Sequence, residues 1–144
     1  MPALTHNIND IARCAALYRQ DALAPFGLKS CHHSYLIRIC NQPGITQDQL
    51  ARQIFVNKSN IARQLAALEE AGFVERRPAE EDKRAMRVYP TQKALDVLPE
   101  VTRILVSWEE AIAADLTAQE KEVLLAALAK MKIRAAAQIG DRDK

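Results

Sequence analysis

Apolar residues recur at helical spacing through most of the chain, and the pattern predicts six helices and one β-hairpin. The first helix runs from about Ile8 to Ala24, with Ile8, Ile11, Ala12, Ala15, Tyr18 and Ala22 on one stripe, and Pro25-Phe26-Gly27 ends it. The second runs from about Ser30 to Cys40, with Tyr35, Leu36, Ile39 and Cys40 apolar, and Asn41-Gln42-Pro43-Gly44 reads as a turn. A short third helix opens at Thr46, where Thr46 and Gln49 are spaced as a capping box and Leu50, Ala51 and Ile54 form the inward side. Phe55-Val56-Asn57 is a tight connection. Asn57 is placed to cap a fourth helix reaching about Ala71, with Ile61, Leu65 and Leu68 as its buried stripe and Gly72 where a left-handed residue is wanted.

Residues 73–77 and 86–89 alternate in part, and the polar stretch 78–85 between them is a solvated hairpin tip. A helix is expected from about Gln92 to Ala114, with Leu95, Leu98, Val101, Leu105, Trp108 and Ile112 apolar and with Pro99 as a kink or broken start. Thr117-Ala118-Gln119-Glu120 is a second capping box, opening a last helix that carries Val123, Leu124, Ala127, Leu128 and Met131. The tail 140–144 is expected to fray.

Composition narrows the class. The chain has 144 residues, 49% of them hydrophobic and 5% aromatic, so one domain with a core of Leu, Ile, Val and Ala is expected. No apolar run approaches the roughly 18 residues of a membrane span, and with no apolar core ahead of a small-residue site in residues 1–14 a secretory signal is not expected. Cys14, Cys31 and Cys40 are too few and too widely spaced for a disulfide framework, which fits a cytoplasmic protein. Charge is uneven: residues 52–94 hold nine Lys or Arg against six Asp or Glu, whereas residues 95–144 hold seven against nine. The basic middle suggests an anionic partner.

The order short helix, tight turn, second helix, glycine, hairpin across residues 45–90 is that of a winged helix-turn-helix. A helix that lies in a major groove needs a polar outer face with few acids at its N-terminal end. Asn57, Lys58, Ser59, Asn60, Arg63 and Gln64 meet this requirement, and acids appear only at Glu69 and Glu70. Arg63 suits guanine, Asn60 and Gln64 suit adenine edges, and Lys58 and Ser59 suit phosphates. Thr46 and Gln47, at the start of the preceding helix, join the candidate interface. At the hairpin tip, Lys83, Arg84 and Arg87 suit a narrow minor groove, with Asp82 placed to orient an arginine. Taken alone, the tip also reads as a plain solvated loop.

Several motifs together carry a family resemblance. They are T-x-x-x-L-A from Thr46, N-K-S-N-I-A-R from Asn57, L-x-x-L-E-x-x-G-F-V-E-R from Leu65, and D-K-R from Asp82. Residues 45–94 resemble the DNA-binding lobe of the MarR family of bacterial transcriptional regulators, and the likeness extends over nearly the whole chain. Two departures lie at the wing exit: Pro90 stands where the family often has leucine, and Ala94 where it often has glycine. The resemblance implies a mainly α fold with a small β-hairpin wing in a single domain. Residues 28–94 would form the winged helix-turn-helix lobe, and residues 1–27 and 95–144 a helical dimerisation region. It further implies a homodimer on a pseudo-palindromic double-stranded DNA operator, usually as a repressor released by a small aromatic or phenolic effector or by thiol oxidation. Apolar helices at both ends, beyond what a small winged lobe can cover, agree with a dimer.

For sensing, C-A-A-L-Y from Cys14 resembles the sensing cysteine of the organic-peroxide branch, with Tyr18 one turn on to support a thiolate. A small hydrophobe in a dimer helix is the simpler role for Cys14. His32, Tyr35, Arg38 and Trp108 are candidate liners of an effector pocket. His32 and His33 beside Cys31 raise zinc, but the expected fifth helix holds no histidine, so no metal and no cofactor is expected. An enzyme is not expected either, since GxSxG, HExxH and a P-loop are missing. A winged helix used only for protein contacts would leave Arg63 and Arg84 without a polyanion.

Overall fold

The structure, a computed structural model, describes residues 2–140. Of the tail expected to fray, only Gly140 lies among the described residues. The elements are α1 (Ala3–Leu23), a 3-10 turn (Ala24–Phe26), α2 (His32–Asn41), β1 (Ile45–Thr46), α3 (Gln47–Ile54), α4 (Lys58–Glu70), β2 (Val74–Pro78), β3 (Met86–Pro90), α5 (Gln92–Ile112) and α6 (Ala118–Ile139). The described chain divides after Trp108 into two compact units.

The caps form where the local sequence provides them. Thr46 Oγ1 accepts from the Gln49 N–H at 3.1 Å while Gln49 Oε1 accepts from the Thr46 N–H at 3.0 Å. Asn57 Oδ1 accepts from the Asn60 N–H at 2.7 Å. Thr117 and Glu120 repeat the reciprocal pair at the start of α6. Each such cap satisfies backbone donors that a helix start would otherwise leave open, at about 1 kcal/mol per capping side chain.

In the first unit, the core joins Leu23, Leu36 and Ile39 from α1 and α2 with Leu50 from α3. Ile61, Leu65 and Leu68 from α4, Val88 from the sheet, and Val101 from α5 complete it. Three antiparallel strands lie in the order β1-β3-β2. Val74 pairs with Pro90 and Pro78 with Met86, so Pro78 sits on an edge strand, where its missing N–H costs no interior ladder bond.

The structure adds to and adjusts the elements expected from sequence. The two-residue β1, pairing Ile45 with Val88 and Thr46 with Arg87, was not foreseen, because two residues carry no periodicity and are extended only through their partner strand. Helix α1 begins at Ala3 rather than Ile8, without a side-chain cap. Its expected stripe is also mostly solvent-facing, with Ile8 and Ile11 exposed and Ala15 and Leu23 as its buried residues. Helix α2 begins at His32 and reaches Asn41. Helix α5 runs unbroken through Pro99, giving up one backbone hydrogen bond. It buries Ala94, Val97, Val101 and Ile104, one step round the helix from the larger residues, so Leu95 and Ile112 remain exposed.

The wing exit accommodates both family departures. Thr91 closes it, its N–H donating to Phe73 O at 3.0 Å and its hydroxyl to Gly72 O at 2.6 Å. Ala94 is fully buried there as a small core residue. In the second unit, α6 buries none of its side chains and leaves Val123, Leu124, Leu125, Leu128 and Ile133 exposed.

Two backbone positions yield stability predictions. Gly44 holds φ +86, and an added Cβ would meet the Tyr89 ring at 3.4 Å, so Gly44→Ala should lower stability by ~1–2 kcal/mol in urea unfolding. Phe55 holds φ +58 in the turn between α3 and α4 and is more than half exposed. Phe55→Gly should therefore raise stability by ~0.5–1 kcal/mol, and a lower denaturation midpoint would contradict the strain account.

Candidate nucleic-acid interface

Helix α4 is rotated by its apolar stripe. Ile61, Leu65 and Leu68 are buried, and this turns Lys58, Ser59 and Arg63 outward. No acid lies in its first turn. The expected outward set is therefore only partly outward. Asn60 and Gln64 are half-buried, Asn60 Oδ1 is buried without a hydrogen-bond partner, and Gln64 Oε1 lies 3.0 Å from His32 Nε2. Asn57 is occupied as a cap, accepting also from the Ser59 hydroxyl at 2.9 Å. Thr46 is likewise committed to its capping box. Lys58 Nζ stands 4.0 Å from Asp48 Oδ1, a weak surface pair.

At the wing tip, Lys83 is exposed and Arg84 stands almost wholly in solvent, with its side chain 95% exposed. Asp82 orients Arg84 as expected: its Oδ1 accepts from the Arg84 backbone N–H at 3.0 Å and lies 3.4 Å from Nε. Arg87 does not belong to the tip. It lies on β3, where Nη1 donates to Gly44 O at 2.7 Å and Nη2 pairs with Glu81, so it braces the sheet. The alternating pattern of a strand cannot show that an arginine is held from both sides.

Sequence reasoning also missed Arg76. Its backbone N–H and Nη2 donate to the two carboxylate oxygens of Glu69, at 3.0 and 3.3 Å, and Nη1 donates to Gln47 Oε1 at 3.3 Å. One guanidinium thus ties the end of α4, the start of α3 and the first wing strand. The hydrogen bond from Arg76 holds the Glu69 carboxyl below the usual carboxylate range. The signal was present in the E-x-x-G-F-V-E-R spacing, but only the fold brings Gln47 to it.

The candidate effector residues fall into separate groups. Tyr18 lies against Trp108 with ring centroids 5.1 Å apart and planes tilted by 40°, and Cys14, one turn before Tyr18, is exposed in the single chain. His32 and Tyr35 are buried and meet edge to face at 6.4 Å, whereas Arg38 on the same helix is exposed. Burial pushes the Tyr35 hydroxyl up to about 12, with Cys31 adding to the shift and Arg63 opposing it. Burial also raises the Cys40 thiol, which disfavours its thiolate. Among the described residues, no three His, Cys, Asp or Glu side chains gather to hold a metal ion, and no helix is long and apolar enough to cross a membrane.

Comparison with known proteins places this geometry in context. A sequence model described as the MarR family matches residues 28–86. The chain is 30% identical over 132 residues to the HTH-type transcriptional regulator YybA of Bacillus subtilis, covering 92% of this chain and 88% of that one. It is 34% identical over 119 residues to a second regulator of that organism, YwoH, covering 83% and 86%. Among solved structures, the transcriptional regulator SlyA superposes with a TM-score of 0.90 at 27% identity, covering 94% and 96%. A MarR family regulator from Listeria monocytogenes, complexed with 26-mer DNA, shares the fold with a TM-score of 0.89 at 24% identity, covering 96% and 92%.

Burial lowers the pKa of His32, opposed by its bond to Gln64 and aided by Lys29. It also lowers His33, opposed by the Ser30 carbonyl and aided by Arg19. The unfolded chain therefore takes up these protons first. Their contribution to stability is complete above the ordinary value of 6.5 and is lost as the pH falls below it. Urea midpoints should drop between about pH 7.5 and about pH 5.5, a window above the range of the lowered carboxyls. The decline should be shallower in a His32→Asn, His33→Asn double variant. An equal decline in that variant would assign the effect to other groups.

Proposed function

Because the chain belongs to the MarR family of transcriptional regulators, we propose that it is a homodimeric, sequence-specific DNA-binding regulator, acting as a repressor on a pseudo-palindromic operator. The observation that carries this reading is the outward display of Lys58 and Arg63 at an acid-free helix start, on the same lobe as a wing whose Arg84 stands in solvent. In the proposed complex, α4 enters the major groove with Arg63 on a base edge and Lys58 and Ser59 on phosphate. Lys83 and Arg84 approach the flanking minor groove. Thr46, Gln47, Asn57 and Arg87 hold the scaffold that presents these groups, in keeping with their internal hydrogen bonds. Regulators of this kind do no chemistry on their DNA, and no catalytic role is assigned to any residue.

The dimer reading rests on exposed apolar side chains. Leu4, Ile8, Ile11 and Leu17 on α1, and Val123, Leu125, Leu128 and Ile133 on α6, are solvent-facing in the single chain. Two rows of this kind favour burial against a second copy, at roughly 25 cal/mol per Å² of apolar surface covered. The proposed release signal is a small aromatic or phenolic compound, with Tyr18, Trp108, His32, Tyr35 and Arg38 as the residues to test. A second reading, oxidation at Cys14, is favoured by the exposure of that thiol one turn from Tyr18. If it holds, peroxide weakens DNA binding by the natural protein and leaves a Cys14→Ser variant unaffected.

The primary test is binding to the gene's own upstream DNA against a scrambled duplex across a salt series. A specific regulator prefers the former by about 10³-fold or more, with affinity falling steeply as salt rises. Arg63→Ala should weaken specific binding by about 10-fold to 100-fold and relax base choice. Lys83→Ala should weaken both duplexes alike and reduce the salt slope by about 1. Lack of binding to any duplex at low salt, from a folded dimer, would refute the reading. For assembly, Leu125→Glu with Leu128→Glu should turn a dimer into a monomer in sedimentation. An unchanged dimer would exclude this face of α6.

A further inference from the structure

We propose that His32, a buried residue on α2, determines base specificity without touching DNA, by fixing the side-chain amide of Gln64 on α4 as a hydrogen-bond donor. The inference rests on the DNA-binding reading above and adds a residue outside the recognition helix to it. Two hydrogen bonds of the His32 ring lead to it in sequence. The backbone N–H of Lys29 lies 3.0 Å from His32 Nδ1, and a backbone N–H can only donate. Nδ1 is therefore the unprotonated acceptor of a neutral ring, and Nε2 carries the hydrogen. Nε2 lies 3.0 Å from Gln64 and must donate to it, so it faces the amide oxygen and not the amide nitrogen. The orientation of a glutamine amide, usually free to flip, is set here by the backbone N–H of Lys29 on the far side of an imidazole.

The surroundings hold the relay in place. His32 is 3% exposed and Tyr35 braces its ring edge to face. Burial disfavours the imidazolium, so the neutral ring persists at neutral pH. Gln64 is half-buried, and its oxygen is the part drawn inward. With the oxygen so engaged, the amide nitrogen becomes, on this reading, the group that Gln64 presents to a base. An adenine edge asks glutamine to accept from N6 and donate to N7 together. An amide whose oxygen is drawn to His32 instead offers N–H donors, which suit the acceptors O6 and N7 of guanine or O4 of thymine. The plain rule that glutamine reads adenine is thereby overridden by a side chain on another helix.

The test is selection from a duplex library randomised across the site, comparing base preference position by position. His32→Asn keeps an acceptor near Nδ1 for the Lys29 N–H but loses the donor at Nε2. His32→Gln reaches the Nε2 position with a donor. The natural protein should prefer an acceptor base, guanine or thymine, at one position per half-site. His32→Asn should shift that position toward adenine by about tenfold and leave the others unchanged, and His32→Gln should restore the natural preference. Gln64→Ala should flatten the same position and make His32→Asn silent there. A purely structural role for His32 predicts instead a uniform loss of affinity at unchanged preference, and that result overturns the proposal. Ring 15N resonances of the natural protein provide a measurement independent of any variant. A protonated Nε2 with a bare Nδ1 is expected, and the opposite tautomer overturns the proposal even where selection succeeds. If the natural protein enriches no sequence at all, the DNA-binding reading fails first and takes this one with it.

Discussion

Ile61, Leu65 and Leu68 seat helix α4, and the rest of the interface depends on that seating. All three are fully buried or nearly so in the first unit's core. Truncating a buried residue of this size costs ~2–5 kcal/mol, several times what any single surface hydrogen bond contributes. The rotation of the helix about its axis is thus decided by its apolar side, and the polar residues take whatever direction remains. For Lys58 and Arg63 that direction is outward. For Gln64 it is sideways, where His32 waits with a donor.

The charged groups around α4 divide between bracing and display. Arg76, Arg77 and Arg87 are each engaged with a nearby acid, Glu69, Glu75 and Glu81 respectively. Pairs at a surface contribute little individually, about 0–1 kcal/mol. Their effect is geometric: Arg76 joins three elements and Arg87 joins β3 to the turn before β1. The net positive charge of the middle segment therefore overstates the cationic surface on offer. The cations placed to meet a polyanion are the exposed ones, Lys58 and Arg63 on the helix and Lys83 and Arg84 on the wing.

Much of this was legible in the sequence wherever a feature is local. The caps at Thr46, Asn57 and Thr117 need only residues three apart, and the stripe of α4 needs only one helix. The left-handed glycine after α4 and the oriented arginine at the wing tip were readable for the same reason. What escaped needed a partner from elsewhere in the chain. β1 exists because β3 lies beside it. Arg87 and the amide oxygen of Gln64 are drawn aside because Gly44 and His32 are there to receive them. The stripe of α1 is left largely uncovered in the single chain, as apolar surface beyond what the lobe can cover requires, while which side of α5 meets the core is not declared by a helix with large residues on two sides. In α5 the smaller residues, Ala94 and Val97, lie inward, and the larger Leu95 is left outside.

The contacts at Gly44 carry a further consequence for motion. Its N–H donates to Val88 O at 2.8 Å while its carbonyl accepts from Arg87, so both polar groups of one peptide segment are spent on a single wing strand. The wing cannot swing as a free flap, because any hinge at its base must break these bonds together with the β1 pairing. Amide hydrogen exchange at Gly44, Ile45 and the paired positions of β3 is then a shared event with one opening free energy, while the tip beyond Ala79 exchanges on its own faster clock. A DNA duplex meeting this lobe therefore encounters an arm already held at its base, so the ordering entropy of binding falls mainly on exposed side chains such as Arg84.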